Sequence, residues 1–344
     1  MGSGARRRAG RSPTIGASFV VNAETSANTM PARLGDYVAL LRPHQWVKNV
    51  VVFAGPAAGL RLFSPTYFGQ ALLAFAAFCL AASATYALND VVDRDADAAH
   101  PTKRLRPVAR GAIHPVTALV IAGCLIIGGT LLTFLLNRAV TTILVAYFVL
   151  TLAYSLVLKQ RVIMDVIVIA TGFVLRAWAG AAAVGVLASE WLVACMFTLC
   201  LFMGFGKRRC ELVMIGNEAD ARQHRATLVR YTPDLLNHLI TVSAGIAVVT
   251  FLLYTMDTTH SPAPFPKQHL FYTLPIVIYG VFRFAMLTEL GVHSGPTEIV
   301  LKDRMLLLAI VGWAVAAVAI AYQRFWWGQL GLESLFSPPT VNPA

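Results

Sequence analysis

The sequence predicts an all-α integral membrane protein with nine transmembrane helices. Three observations carry that prediction. The 344 residues are 57 % hydrophobic and only 13 % charged, with a mean hydropathy of +0.65, far too apolar for an ordinary soluble domain. A spanning helix needs about 20 mostly apolar residues, and nine stretches meet that requirement. Lys and Arg gather in alternate connections between those stretches, as membrane topology demands.

The chain begins with a basic, then Ser/Thr/Ala-rich stretch that lacks the apolar core of a signal peptide. Residues 1–32 are therefore expected to be a disordered tail, 33–327 a single transmembrane catalytic domain, and the Pro-rich 328–344 a second disordered tail. PARLGDYVALLRPHQW reads as a short amphipathic helix on the membrane surface. It contributes Arg42 and His44, with Lys48 just beyond it. The expected spans are 44–61, 66–92, 115–136, 139–157, 164–185, 190–206, 236–257, 269–290 and 304–326. With the N-terminus in the cytoplasm, 22 of the 28 Lys and Arg residues fall on that side. Only Arg61, Arg138, Lys267 and Arg324 fall on the other, while Arg176 and Arg283 lie within spans. Orientation follows, and all the large polar connections share the cytoplasmic face.

The most polar stretch, Asn89 to Arg110, follows the second span. On a helix turning about 100° per residue, Asn89, Asp93, Asp97 and Asp90 fall within about 100° of one another. Four hard oxygen side chains then share one face, a donor set suited to Mg²⁺, with Mn²⁺ as the alternative, that also holds substrate phosphates. Asp93, Asp95 and Asp97 also have the spacing of a calcium loop, but the required Gly is Ala98 and the closing Glu is Arg104. Lys103, Arg104 and Arg106 follow as anion contacts.

Other candidates lie further on. Asp165 and Arg176 share the fifth span, but eleven residues on a helix separate them by about 16 Å, so Arg176 needs an anion from elsewhere. Arg283 and Glu289, six apart, have no helical pairing register. Tyr154 and Lys159 close the fourth span, and Lys207, Arg208 and Arg209 beside Glu211 form a dense cationic group expected in the loop after the sixth. The five cysteines show no CxxC spacing and the eight histidines no ligand pattern, which argues against zinc or disulfide frameworks. The net charge of +11 resides in short connections, which fits topology and anionic substrates rather than nucleic acid.

Taken together, Asn89-Asp90-Val-Val-Asp93-Arg-Asp-Ala-Asp97, the Lys103-Arg104 and Arg106-Pro107 pairs, and Tyr154-Ser155 to Lys159 resemble the UbiA superfamily of intramembrane prenyltransferases. The resemblance runs over about residues 35 to 325. It implies a nine-helix bundle around a central cavity, with metal-bound diphosphate at the cytoplasmic mouth and a lateral opening for lipid. Carried onto this sequence, it makes Asn89, Asp90, Asp93 and Asp97 the metal ligands, with the three aspartates catalytic. It makes Lys103, Arg104, Arg106, Tyr154 and Lys159 substrate contacts, and Lys48, Arg176, Lys207, Arg208, Arg209 and Glu211 are expected as further substrate contacts from their charge and position.

The family's second motif, DxxxD after the sixth span, is missing; Lys207-Arg208-Arg209-Cys-Glu211 and then Glu218-Ala-Asp220 stand there. That departure, with LRPHQWVKNVVVFAG and HPTKRLRPVARGAI, resembles one branch of the family. The branch transfers 5-phosphoribose from phosphoribosyl diphosphate to a polyprenyl phosphate for cell-wall arabinan synthesis. The expected enzyme is thus a Mg²⁺-dependent pentosyltransferase of the inner membrane; a homo-oligomer is compatible with the sequence. Two rivals are a prenyltransferase using a prenyl diphosphate donor and a transporter of anionic lipids or metabolites.

Overall fold

The computed structural model describes residues 32–101, 103–215, 230–257, 265–291, 293 and 295–323. The two expected tails, residue 32 aside, lie outside that set, as do Glu218, Asp220 and Arg324. Every regular element among the described residues is helical. In order they are α1 (Leu34–Leu41), a 3₁₀ helix (Pro43–Phe53), α2 (Ala54–Ala58), α3 (Pro65–Val92), α4 (Arg94–Ala99), α5 (Pro115–Phe134) and α6 (Arg138–Leu156). Then follow α7 (Met164–Ala183), α8 (Glu190–Ile215), α9 (Pro233–Met256), α10 (Leu274–Leu290), α11 (Pro296–Lys302) and α12 (Arg304–Ala321).

Among the described residues, eight helices are long and apolar enough to cross a membrane, counting α10 together with the 3₁₀ turn Lys267–Thr273 before it. The remaining expected span, 44–61, has a different form. Its α1 side stops at Arg42, which adopts the left-handed conformation (φ 52°, ψ 58°) immediately before Pro43, a residue that disfavours right-handed helix at its predecessor. Eleven residues of 3₁₀ helix and five of α-helix follow. By rise alone the two pieces reach about 30 Å, close to the thickness of a hydrocarbon core.

Small residues let these elements approach closely. On α3, Ala71, Ala74, Ala77, Ala81, Ala84 and Ala87 are fully buried. Gly129 of α5 lies against the Ala77 carbonyl, where an added Cβ would sit 3.0 Å away. Gly180 of α7 is more severe, because an added Cβ would lie 1.7 Å from the Val52 carbonyl oxygen. The apolar core divides accordingly. One part, around Val52, Phe78, Leu144 and Tyr147, joins the 3₁₀ helix to α3, α6 and α7. Another, around Phe202, Phe205, Leu236 and Phe284, joins α8 to α9 and α10.

One further difference bears on the site. The sixth span was expected to end at residue 206 with Lys207 to Glu211 in a loop, yet α8 continues to Ile215. The basic group therefore rides on the last turns of a helix. The Arg208–Asp165 ion pair and the Arg209–Asn237 hydrogen bond hold those turns to α7 and α9, while Cys210 and Leu212 pack into the apolar core.

Candidate active site

The polar ends of α3, α6, α7, α8 and α9 meet at one face of the bundle, as Lys159–Asp93, Arg208–Asp165 and Arg209–Asn237 contacts show. The opposite face is joined by Asn137–Ala182 and His269–Gln323 hydrogen bonds. All the acids and bases of the expected site lie at or behind the first face, except Arg176, which is midway along α7.

The acidic motif spans the joint between α3 and α4. Asp93 caps α3, yet its N–H donates to the Asn89 carbonyl (2.9 Å) and the Asp97 N–H donates to the Asp93 carbonyl (2.8 Å). The helical register thus runs through the joint, and the spacing predicted for the four oxygen side chains is kept. Asp90 and Asp97 are buried, Asn89 and Asp93 half-buried, and Asp95 exposed.

Each acid of the motif face has a basic partner. Arg42 donates to Asp90 Oδ1 at 2.5 Å, Arg106 bridges Asp97 (2.5 Å) and Asp90 (3.4 Å), and Lys159 reaches Asp93 at 2.7 Å. Two buried oxygens, Asn89 Oδ1 and Asp90 Oδ2, accept no hydrogen bond among the described residues. Among the described residues, no three carboxylate, His or Cys side chains converge as a metal cage. The motif face is instead a charge-paired cluster with two open acceptors.

Arg42 is positioned by its strained backbone and by the Tyr86 ring, 5.1 Å from its guanidinium carbon. Its role as partner of Asp90 was not legible, because 48 residues separate the two. The connection from α4 to α5 is pinned by the buried Val108 and Ile113 against α3 and α5, and by an Arg110–Asp36 ion pair to α1. That leaves Lys103 half-buried and Arg104 exposed, with no acidic partner among the described residues.

A second network braces α7 against α8. Asp165 is fully buried, accepting from Arg208 Nε (3.0 Å) and from the Tyr231 hydroxyl (2.8 Å). Arg208, also buried, donates to Glu211 as well, and Lys207 lies 3.7 Å from the other Glu211 oxygen. Tyr231 in turn accepts from the Ile163 N–H (2.7 Å), holding a β-branched residue at φ 68°, a conformation with steric cost. Burial pushes the Tyr231 hydroxyl well above its ordinary pKa, so it serves as a neutral donor. Tyr231 carries no sequence signal; a lone tyrosine beyond a polar connection has no spacing to mark it.

Arg208 and Glu211 are thus committed to one another and to Asp165, whereas Lys207 is exposed and Arg209 reaches Asn237 (3.1 Å). Tyr154 is half-buried near the end of α6. Arg283, left open by its sequence spacing, pairs with Asp303 at 2.7 Å and 3.2 Å. That hydrogen bonding holds the Asp303 carboxyl below its usual range.

Deeper in the bundle, Arg176 is buried and makes no ion pair among the described residues. Its Nε donates to Asn49 Oδ1 and its Nη2 to the Tyr147 hydroxyl, both at 2.7 Å. The Tyr147 and Phe173 rings flank it at 4.6 Å and 5.1 Å. Asn49 is fully buried and its amide donates to Cys79 Sγ. Neither Asn49 nor Tyr147 is marked in the sequence by any motif. Lys48, one residue before Asn49, has Lys207, Arg176 and Arg42 as like-charged neighbours.

Similarity to known proteins agrees with this geometry. Over 295 residues the chain is 32% identical to decaprenyl-phosphate phosphoribosyltransferase of Mycolicibacterium smegmatis, covering 83% of this chain and 92% of that one. Identity to the Mycobacterium tuberculosis protein of the same name is 33% over 299 residues, 85% of this chain and 97% of the other. In fold, a UbiA homologue from Archaeoglobus fulgidus, whose structure holds GPP and Mg²⁺, superimposes with a TM-score of 0.64 at 17% identity, covering 81% of this chain and 96% of its own. Residues 50–301 match the UbiA prenyltransferase family, and the chain belongs to that family.

Proposed function

We propose that this protein transfers 5-phosphoribose from phosphoribosyl diphosphate to a polyprenyl phosphate, at the cytoplasmic face of the plasma membrane and with Mg²⁺ bound. The observation that carries this reading is similarity across most of both chains to decaprenyl-phosphate phosphoribosyltransferases. The site's surplus of cations supports it, since this reaction gathers a diphosphate, a 5-phosphate and a lipid phosphate at one mouth. Two buried oxygens of the motif, Asn89 Oδ1 and Asp90 Oδ2, are hard acceptors without a donor, which suits an oxygen-seeking divalent cation. Asn89, Asp90, Asp93 and Asp97 would hold it, and its charge would offset that of the departing diphosphate.

The protein's own side chains do the rest. Lys103 and Arg104, without acidic partners among the described residues, bind the donor diphosphate. Arg106 and Lys159, now paired with Asp97, Asp90 and Asp93, are placed to exchange those carboxylates for phosphate oxygens. In the reaction the bond from ribose C1 to the diphosphate oxygen breaks and its electron pair leaves with diphosphate. An oxygen of the lipid phosphate forms the new bond to C1. A phosphate monoester is already ionised near neutral pH, so no proton must be removed and no general base is required. Preorganised cations at the leaving oxygen supply the acceleration.

Purified protein given labelled phosphoribosyl diphosphate and polyprenyl phosphate is expected to form labelled lipid only with a divalent cation present. Asp93→Ala should lower the rate by about a hundredfold or more, the scale of losing one preorganised electrostatic contact. Full activity in that variant would remove Asp93 from the site. Product formed only from a prenyl diphosphate would transfer the assignment to the prenyltransferase rival.

A further inference from the structure

We infer that Lys48, Asn49 and Arg176 form an inner anion site, separate from the acidic motif, that takes a phosphate monoester. The inference rests on the phosphoribosyl-transfer reading and deepens it, because that reaction brings such groups in addition to a diphosphate. The monoester is either the phosphate of the lipid acceptor or the 5-phosphate of the donor.

Charge balance is the first ground. Arg42, Arg106, Lys159 and Arg208 each meet a carboxylate. Arg176 and Lys48 meet none among the described residues, and they are electrostatic neighbours. A guanidinium that is 8% exposed carries a desolvation cost of several kcal/mol. Two hydrogen bonds to neutral groups and two flanking rings return about that much in all. An apolar side chain would pack there at lower cost, so the charge marks a ligand rather than a brace.

Geometry is the second. Nε and Nη2 are fixed by Asn49 and Tyr147, which orients the guanidinium rigidly. Nη1 has no partner among the described hydrogen bonds. It lies beside Gly172, one turn nearer the motif face, where an added Cβ would approach it to 3.5 Å. Gly172 therefore keeps a side chain away from the open edge of a fork suited to phosphate. Lys48 is exposed and has Arg176 among its electrostatic neighbours.

Full-length protein in detergent would be titrated with geranylgeranyl monophosphate, geranylgeraniol and ribose 5-phosphate, using wild type, Arg176→Gln and Lys48→Gln. Both variants should bind one of the two monophosphates about 10- to 100-fold more weakly, the loss of one charge-assisted hydrogen bond. The alcohol should be unaffected. Weakening confined to geranylgeranyl monophosphate assigns the site to the acceptor, and weakening confined to ribose 5-phosphate assigns it to the donor. Lys48→Gln removes no structural hydrogen bond, so its result stands even if Arg176→Gln fails to fold. Unchanged binding of both monophosphates in Lys48→Gln and in folded Arg176→Gln overturns the inner site while leaving phosphoribosyl transfer intact. Wild type that transfers no phosphoribose would instead overturn the underlying reading.

Discussion

Asp90 shows how a single side chain at this mouth is held. It is buried with Arg42 on one oxygen and nothing on the other. Removing one partner of a buried ion pair typically costs about 3–5 kcal/mol, because the remaining charge stays desolvated. Arg42→Gln should fall at the low end of that range, about 3 kcal/mol, since Arg106 remains 3.4 Å from the same oxygen. Thermal unfolding in detergent measures it, and an unchanged midpoint would show that the pair contributes nothing. The acids themselves were legible, because oxygen side chains at helical spacing share a face whatever surrounds them. Their basic partners were not. Arg42 and Lys159 lie 48 and 66 residues from Asp90 and Asp93, and only the tertiary fold brings them near. The inference that Arg176 and Asp165 are too far apart to pair follows from helix rise alone, and Asp165 indeed pairs with Arg208 and Tyr231 instead.

At the level of elements, the 3₁₀ helix Pro43–Phe53 positions the inner cations, and α7 sets where that helix can lie. Gly180 and Val52 make the closest approach. Gly180 is four residues after Arg176, and Val52 three after Asn49, so this contact sets the distance over which Arg176 reaches Asn49. Gly180→Ala would force the backbones apart, costing about 1–3 kcal/mol or more by overpacking. The expected outcome is a lower unfolding midpoint together with weaker monophosphate binding, whereas Gly245→Ala, in open space on α9, should change neither. Equal behaviour of the two variants would show that the close approach has no bearing on the site. Hydropathy revealed where helices cross but not this contact. It also placed a loop at Lys207, because a run of charges reads as the end of a span. The helix continues there since Arg208 and Arg209 find partners on α7 and α9, information that a hydropathy window does not contain.

The whole molecule is asymmetric across its membrane plane, with the paired acids and bases at one face and few charges at the other. The proposed orientation, argued from lysine and arginine placement, puts that face in the cytoplasm, where a soluble sugar diphosphate would be available. The lipid must come from within the bilayer, so the reaction needs a face that is wet on one side and open to a prenyl chain on the other. Lys103 lies on the motif face and Leu187, 96% exposed, on the connection after α7 at the opposite face. With the five native cysteines replaced by alanine, Lys103→Cys and Leu187→Cys become reporters of the two faces. A membrane-impermeant maleimide added to intact cells should label Leu187→Cys and spare Lys103→Cys until the cells are lysed. The reverse pattern would turn the bundle over, place the site on the outer surface, and deprive it of a cytoplasmic donor.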